Sequence, residues 1–261
     1  MNGALCYFSG TGNTKWIANK ISDYFKENDY NIDFFNIEYK EDFDLENINK
    51  YDFLIIGTPV YAGMEPRIVS NFLKKLPKGN NKKCIIYSTQ GSNKASAAEN
   101  ISRIINKKGY DVFIQSSIKM TNNYYFAMGK KPTNEYITST LKEAEVKCKN
   151  IVDGFIKGEK LIENTNSFKL GVSKVLSKGF IKILPKLSKN MISKNDCDKC
   201  GLCVRNCPRG NITMENGRAV FHSKCMLCLR CIYLCPKNAI TYKNKKIYKI
   251  QKNIIKALDI K

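Results

Sequence analysis

Apolar and polar stretches alternate with one rhythm through the first 157 residues. A short apolar run, Leu5–Ser9, ends in a glycine-rich turn. Thr14–Phe25 then sets Ile17, Ala18, Ile21 and Phe25 on one face at helical spacing. Ile32–Ile37 reads as a strand. Asp52–Val60 contains Phe53-Leu54-Ile55-Ile56, the continuous apolar run of a parallel strand buried on both faces. The pattern goes on with a helix at Ile68–Leu76, a strand at Lys83–Thr89, a helix at Ser96–Lys107, a strand at Val112–Ile118 and a long helix at Asn134–Ile156. Five strands alternating with helices predict an open α/β sheet. Ligands of such sheets bind at the carboxyl ends of the strands, at the switch point.

Beyond residue 157 the pattern changes. Phe168, Val172, Val175, Leu176, Phe180, Ile183, Leu184 and Leu187 form an apolar stripe, while Lys174, Lys178, Lys182 and Lys186 recur every four residues. This predicts a basic amphipathic helix, broken or kinked near Pro185. One reading is binding to a membrane surface or an acidic protein. The simpler one is a helix clamped between two domains with its lysines in water. A basic tail from Asn244 to Lys261 is a further helix candidate, with Ile247, Ile250, Ile254, Ile255 and Leu258 partly on one face.

A chain of 261 residues suits two domains, and an apolar fraction of 43% suffices for real cores. No apolar run approaches the roughly 18 residues of a membrane span, and Met-Asn-Gly-Ala-Leu-Cys is unlike an export signal. Of 11 cysteines, eight fall between Cys197 and Cys235. Clustered thiols with no export signal predict a cytoplasmic protein using metal or redox chemistry. The charge is lopsided. Residues 1–157 hold 22 basic and 17 acidic side chains, and residues 158–261 hold 22 and 6. That asymmetry suits an acidic partner, although lysine is abundant throughout. Neither basic segment interleaves aromatics in the manner of a nucleic-acid binder, so none is expected as a partner.

Candidate chemistry begins after the first strand, at Ser9-Gly10-Thr11-Gly12-Asn13-Thr14. Glycines let successive N–H groups point inward, the next helix adds its positive end, and the Ser, Thr and Asn side chains add hydrogen-bonding groups. Together they make a phosphate site. A Walker loop would need Gly-Lys-Ser/Thr, and a dinucleotide fingerprint would need a third glycine where Lys15 stands. The remaining pattern resembles the flavodoxin phosphate loop, over roughly residues 3–157. The resemblance implies a five-stranded parallel sheet in the order 2-1-3-4-5, binding flavin mononucleotide (FMN). It also implies that Thr58-Pro59-Val60-Tyr61-Ala62-Gly63 and Thr89-Gln90-Gly91 flank the flavin ring. Tyr61 is the candidate stacking aromatic, its alternative being a tyrosine packed under a loop. The aromatic loop Thr121–Phe126 either covers the flavin or anchors a long connection. Trp16 is expected to pack in the core, as are Cys6, Cys84 and Cys148.

The strongest signal is a duplication. Cys197-x2-Cys200-x2-Cys203-x3-Cys207-Pro208 recurs as Cys225-x2-Cys228-x2-Cys231-x3-Cys235-Pro236, offset by 28 residues. Three cysteines at this spacing hold three irons of a cubane, and the fourth thiolate crosses to the other cluster. Cys197, Cys200, Cys203 and Cys235 are therefore expected on one [4Fe–4S] cluster, and Cys225, Cys228, Cys231 and Cys207 on the second. Structural zinc normally uses two Cys-x2-Cys pairs. Between the copies, Asn216-Gly217 signals a hairpin. Residues 196–243 resemble the small bacterial-type ferredoxin. His222 reads as a surface residue.

The expected organisation is an FMN domain at 1–157, a basic helical linker at 158–195, a small α+β 2[4Fe–4S] ferredoxin domain at 196–243 and a basic tail at 244–261. The whole resembles the flavodoxin–ferredoxin fusion proteins of anaerobes. That resemblance implies an electron-transfer protein working with redox partner proteins. One alternative is a ferredoxin-fed FMN reductase using Tyr61 and Asn122–Phe126. Another is a ferredoxin whose first domain only docks partners.

Overall fold

A fully buried strand, β3 (Phe53–Pro59), forms the middle of the main sheet, as its unbroken apolar run requires. It lies between β1 (Asn2–Tyr7) and β4 (Lys83–Gln90), with β2 (Asn31–Asn36) beyond β1 and β5 (Asp111–Lys119) beyond β4. All the pairings are parallel. The structure is a computed structural model and describes residues 1–39, 45–92, 96–163, 167–258 and 260.

The expected order 2-1-3-4-5 holds, but the sheet has six strands. The sixth, β6 (Leu161–Ile162), pairs parallel with β5 through Ile114 and Gln115. Two residues are too few to show a period, so the pattern left this strand inside the linker. It is tied down by the Glu163 N–H, which donates to the Gln115 carbonyl, and by Gln115 Nε2, which donates to the Glu163 carbonyl.

Helices cover both faces of this sheet. The helix α1 (Asn13–Lys26) packs beside α5 (Asn134–Lys157), while α2 (Arg67–Lys75) packs beside α3 (Ala97–Asn106). For α1, α2 and α3 that division follows from right-handed crossovers running outward in both directions from β1 and β3, and α5 returns to the face of α1. Phe53 anchors the core beneath α1 and α5, with its ring 5.2 Å from Phe25 and 4.6 Å from Phe155. Cys6, Cys84 and Cys148 are buried as expected, and burial pushes all three thiols up. Trp16 is only half-buried, with Lys20 Nζ 5.6 Å above its ring. At 100° per residue it lies on the side of α1 opposite Thr14, Ile17, Ala18, Ile21 and Phe25, which face the core.

The chain divides into two units. The first is Met1–Ser9, Asn13–Asn122 and Thr133–Ser177; the second is Gly10–Gly12, Asn123–Pro132 and Lys178–Lys261. The second unit contains α4 (Tyr125–Met128). The helix α6 (Ser167–Ser188) runs unbroken through Pro185. A proline this near the end removes only one of the last hydrogen bonds, and Ser188 Oγ donates to the Pro185 carbonyl.

Next comes β7 (Met191–Ser193), followed by a short helix α7 (Leu202–Arg205) and the hairpin β8 (Ile212–Glu215) and β9 (Arg218–Phe221). Asn216 (φ 47°) and Gly217 (φ 73°) make its two-residue turn. The unit ends with α8 (Arg230–Leu234), β10 (Ile240–Tyr242), β11 (Lys245–Lys246) and α9 (Lys252–Ile255). β7, β10 and β11 form a small antiparallel sheet in the order 11-10-7. The tail is thus not one long helix. Lys243 and Asn244, both with positive φ, turn it back into a hairpin, and Gln251 (φ 56°) delays the helix to one turn. Ile247, Ile250, Ile254 and Leu258 are nevertheless buried.

Candidate functional site: a glycine loop and two thiol quartets

Ser9 and Thr14, at either end of the glycine loop, are buried. Thr14 begins the first turn of α1, whose positive end faces the loop. Its hydroxyl is 2.8 Å from that of Thr89, and the Tyr87 hydroxyl donates to its carbonyl at 3.0 Å. Val60 N–H donates to the Thr89 carbonyl. The start of α1 and the ends of β3 and β4 are therefore bonded together. Thr58 is fully buried and donates to the Pro59 carbonyl, and Gln90 is buried beside it. Gly91 is exposed, and a Cβ there would lie 2.8 Å from Cβ of Asn122.

Tyr61 is half-buried. It exchanges two backbone hydrogen bonds with Met64 across a turn whose tip is Ala62 (φ 49°) and Gly63 (φ 83°). Ser96 N–H donates to the Gly63 carbonyl and holds this turn in place. Close by, Glu65 is buried. Its Oε1 accepts from Ser70 and Asn100, while burial raises its pKa against those bonds.

Two buried polar atoms near the loop lack a hydrogen-bond partner among the described residues: Asn13 Oδ1 and Thr121 Oγ1. A buried polar atom left without a partner is costly unless a ligand satisfies it. The Thr121 hydroxyl can donate to a phosphate oxygen or a ring carbonyl. The Thr121 hydroxyl and the positive end of α1 fit an FMN phosphate, while Asn13 Oδ1 only accepts and suits a hydroxyl or N–H of the same ligand.

Gly10–Gly12 belong to the second unit. Gly12 has φ +102°, and a Cβ on it would lie 2.3 Å from the Ile254 carbonyl oxygen. The buried Arg230, 3% exposed, donates from Nε to the Gly10 carbonyl and from Nη1 to the Asn206 carbonyl. Thr11 Oγ1 accepts from Asn123 Nδ2, and Asn123 Oδ1 accepts from the Tyr233 hydroxyl. The aromatic loop is anchored in the same unit. The Tyr125 hydroxyl donates to the Tyr248 carbonyl at 2.8 Å, that of Tyr124 donates to the Leu227 carbonyl, and Phe126 meets Tyr242 edge-on at 5.6 Å.

The two cysteine repeats share backbone conformation at several equivalent positions. Lys199 and Leu227 share left-handed backbone (φ 60° and 55°), as do Gly201 and Leu229 (73° and 63°) and Gly210 and Asn238 (54° and 49°). The helices α7 and α8 start at equivalent positions, Leu202 and Arg230. The fourth cysteine of each copy accepts from a backbone N–H at 3.3 Å: Asn211 donates to Cys207 Sγ, and Ala239 donates to Cys235 Sγ. Leu227 N–H donates to Cys225 Sγ, also at 3.3 Å.

Thiols of the two repeats lie close enough to raise one another. The Cys203 thiol is pushed up to about 11, first by burial and then by Cys197, Cys235 and Cys200. Cys231 is pushed well up by burial and then by Cys228, Cys225, Cys207 and Cys203. A pocket is lined by Cys207, Cys225, Cys228 and Cys231, with Ile212 and Phe221 as apolar walls. Among the described residues no three His, Cys, Asp or Glu side chains converge on a single-ion point. The thiol quartets with their N–H···S bonds fit the ligation of iron–sulfur cubanes. His222 is exposed, 2.8 Å from the Thr213 hydroxyl, as expected of a surface residue.

A parallel α/β sheet with a phosphate-type loop on its first strand, joined to paired four-thiol loops, defines an electron-transfer protein with two kinds of redox centre. The chain belongs to the flavodoxin domain family, whose model matches residues 4–138. The model of the 4Fe-4S dicluster domain matches residues 196–239, so the chain is a flavodoxin–ferredoxin fusion. The domains imply FMN and iron–sulfur clusters as its cofactors.

Solved structures similar to it include oxidised Flavodoxin 2 from Bacillus cereus (20% identity, 60% of this chain and 99% of that one, TM-score 0.45). Another is the flavodoxin of Streptococcus pneumonia TIGR4 (16%, 59% and 99%, 0.44). A third is the rubredoxin oxygen:oxidoreductase of the anaerobe Desulfovibrio gigas (13%, 59% of this chain, 0.41), of which this chain spans only 37%. No curated protein matches the chain. No helix among the described residues is long and apolar enough to cross a membrane.

Proposed function

We propose that the chain carries electrons between two [4Fe–4S] clusters and an FMN, delivering them to an acidic redox partner protein. Clusters supply one-electron chemistry and a flavin supplies one- or two-electron chemistry, so joining them converts one traffic into the other. The observation that carries this reading is the matched pair of thiol loops, with Asn211 N–H on Cys207 and Ala239 N–H on Cys235.

On this reading Cys197, Cys200, Cys203 and Cys235 ligate one cluster, and Cys225, Cys228, Cys231 and Cys207 the other. The N–H···S bonds remove negative charge from the sulfurs, which is how the protein raises a cluster potential. Ser9–Thr14 hold the FMN phosphate, Thr58–Gly63 and Thr89–Gly91 flank the ring, and Tyr61 stacks on it. The FMN domain spans 1–157 and the cluster domain 196–243. The hydroxyls of Tyr124 and Tyr125 are already committed to backbone carbonyls. This favours a carrier over a reductase that would use the aromatic loop on a small substrate.

The test is anaerobic purification with FMN and iron quantified per chain. The reading expects about one FMN and about eight irons, the content of two [4Fe–4S] clusters. Iron near eight with no FMN, even after FMN is supplied, would leave an ordinary ferredoxin with a docking domain.

A further inference from the structure

The helix α6 is built inside out. Its inward side chains are Leu170, Ser173 and Ser177, all buried, with Ser173 Oγ 3.3 Å from Ser96 Oγ. Five of its large apolar side chains point to solvent: Phe168 is 77% exposed, Val175 70% and Leu176 63%, and Val172 and Ile183 are exposed as well, while Phe180, Ile181, Leu184 and Leu187 are half-buried. At 3.6 residues per turn these five fall within an arc of about 100° and extend over roughly 22 Å. A helix serving only a protein core turns such a stripe inward. A contiguous exposed stripe on a soluble chain marks a binding surface.

The charge around the stripe selects the occupant. The helix contains Lys169, Lys174, Lys178, Lys182 and Lys186, all exposed, and neither Asp nor Glu. Lys186 lies within the apolar arc, and Lys169 and Lys182 lie within about 20° of its two edges. All five basic residues are lysine. Protein interfaces favour arginine and are depleted in lysine. Lysine is a hydrated point charge on a long apolar stem, suited to anionic headgroups while its stem covers acyl chains. Gly171 and Gly179 have open space around them, so the outer face is also free of bulky polar groups there.

We infer that α6 docks the protein on an anionic phospholipid surface, with Phe168, Val172, Val175, Leu176 and Ile183 entering the headgroup–acyl boundary and the lysines on the lipid phosphates. The helix lies in the interface and does not cross it. The partner is thus a membrane surface in addition to any soluble redox partner, and the inference does not depend on which cofactors the chain carries.

The test is flotation of the full-length, cluster-loaded protein with two kinds of vesicle, phosphatidylcholine alone and phosphatidylcholine with phosphatidylglycerol. Binding is expected only to the mixed vesicles, weakening as salt is raised. Replacing both Lys182 and Lys186 by Gln should weaken it about fivefold per lysine. The double variant Val175→Glu, Leu176→Glu should abolish it with FMN and iron content unchanged, because both residues already face solvent. No binding to the mixed vesicles would overturn the inference, as would equal binding by the double variant. A wild-type dimer in sedimentation that the double variant converts to monomer would also overturn it, since a second copy would then cover the face.

Discussion

Thr14 and Thr89 share a buried hydroxyl–hydroxyl hydrogen bond of 2.8 Å across 75 residues of sequence. One ends the glycine loop and the other ends β4, so this bond sets the spacing of two of the three candidate flavin loops. Thr89→Val keeps the shape and leaves the Thr14 hydroxyl without its partner. An unsatisfied buried hydroxyl costs about 1–3 kcal/mol. The variant should unfold at lower temperature and titrate more weakly with FMN, followed by flavin fluorescence.

Gly12 and Gly171 should respond to alanine in opposite ways. At Gly12 the Cβ would lie 2.3 Å from the Ile254 carbonyl oxygen at φ +102°. Gly12→Ala should therefore lower the unfolding midpoint and weaken FMN retention. Gly171 lies within α6 with nothing near its Cβ position. Gly171→Ala should raise stability by about 0.5–1 kcal/mol, through lower entropy of the unfolded chain. Anaerobic thermal melts of both variants make the comparison.

The crossed ligand sets proposed above predict which cluster each cysteine controls. Cys207→Ala should spare the cluster on Cys197, Cys200 and Cys203, although Cys207 adjoins them in sequence. Cys235→Ala should spare the other. In each case iron should fall from about eight to about four per chain. Electron paramagnetic resonance of the two single variants should show two different surviving signals.

Arg230 is a buried cation bonded to the Gly10 and Asn206 carbonyls; burial pushes the nearby Cys228 thiol up to about 12, and the Arg230 charge opposes that rise. Arg230→Met leaves two carbonyls unpaired and should cost about 3 kcal/mol in denaturant unfolding. It also removes a positive charge beside the second thiol quartet, so the potential of that cluster should shift negative in spectroelectrochemical titration. Arg230→Lys keeps the charge but lacks the rigid fork that reaches both carbonyls. Its potential should stay near wild type while its stability falls.

Glu65 makes stability depend on pH. Burial raises its folded pKa above the unfolded value of about 4.3. The protonated form is thus favoured in the folded state, and that stabilisation is complete below about pH 4. It is lost as pH rises through the folded pKa. Glu65→Gln cannot ionise and still accepts from Ser70 and Asn100 through its amide oxygen. The melting temperature of the variant minus that of wild type should therefore increase from pH 4 to pH 7. A difference that shrank over this range would show that Lys174 stabilises the carboxylate more than burial opposes it.

Local chemistry was legible before any fold was known. The run Phe53–Ile56 named a strand buried on both sides because no other element needs apolar residues at every position. The paired Cys-x2-Cys-x2-Cys-x3-Cys spacings named two clusters, and the backbone repeats their duplication at Lys199 and Leu227 and again at Gly210 and Asn238. Asn216-Gly217 announced its hairpin, since two consecutive positive φ angles suit few other dipeptides.

Other features depend on partners far along the chain. β6 exists because Ile114 and Gln115 offer it an open edge, and its two residues carry no period of their own. Thr89 matters through Thr14, and Arg230 through Gly10, pairings that no local pattern contains. The apolar stripe of α6 was plain in the sequence, but its direction was not. Periodicity shows that a helix has two faces. Which face is buried is set by what stands opposite, and here Ser96 receives Ser173 while Val175 and Leu176 are left in solvent. Spacing along the chain thus settles chemistry that acts over a few residues. Burial and long-range pairing are properties of the packed whole, because they depend on surfaces that exist only once the chain has folded.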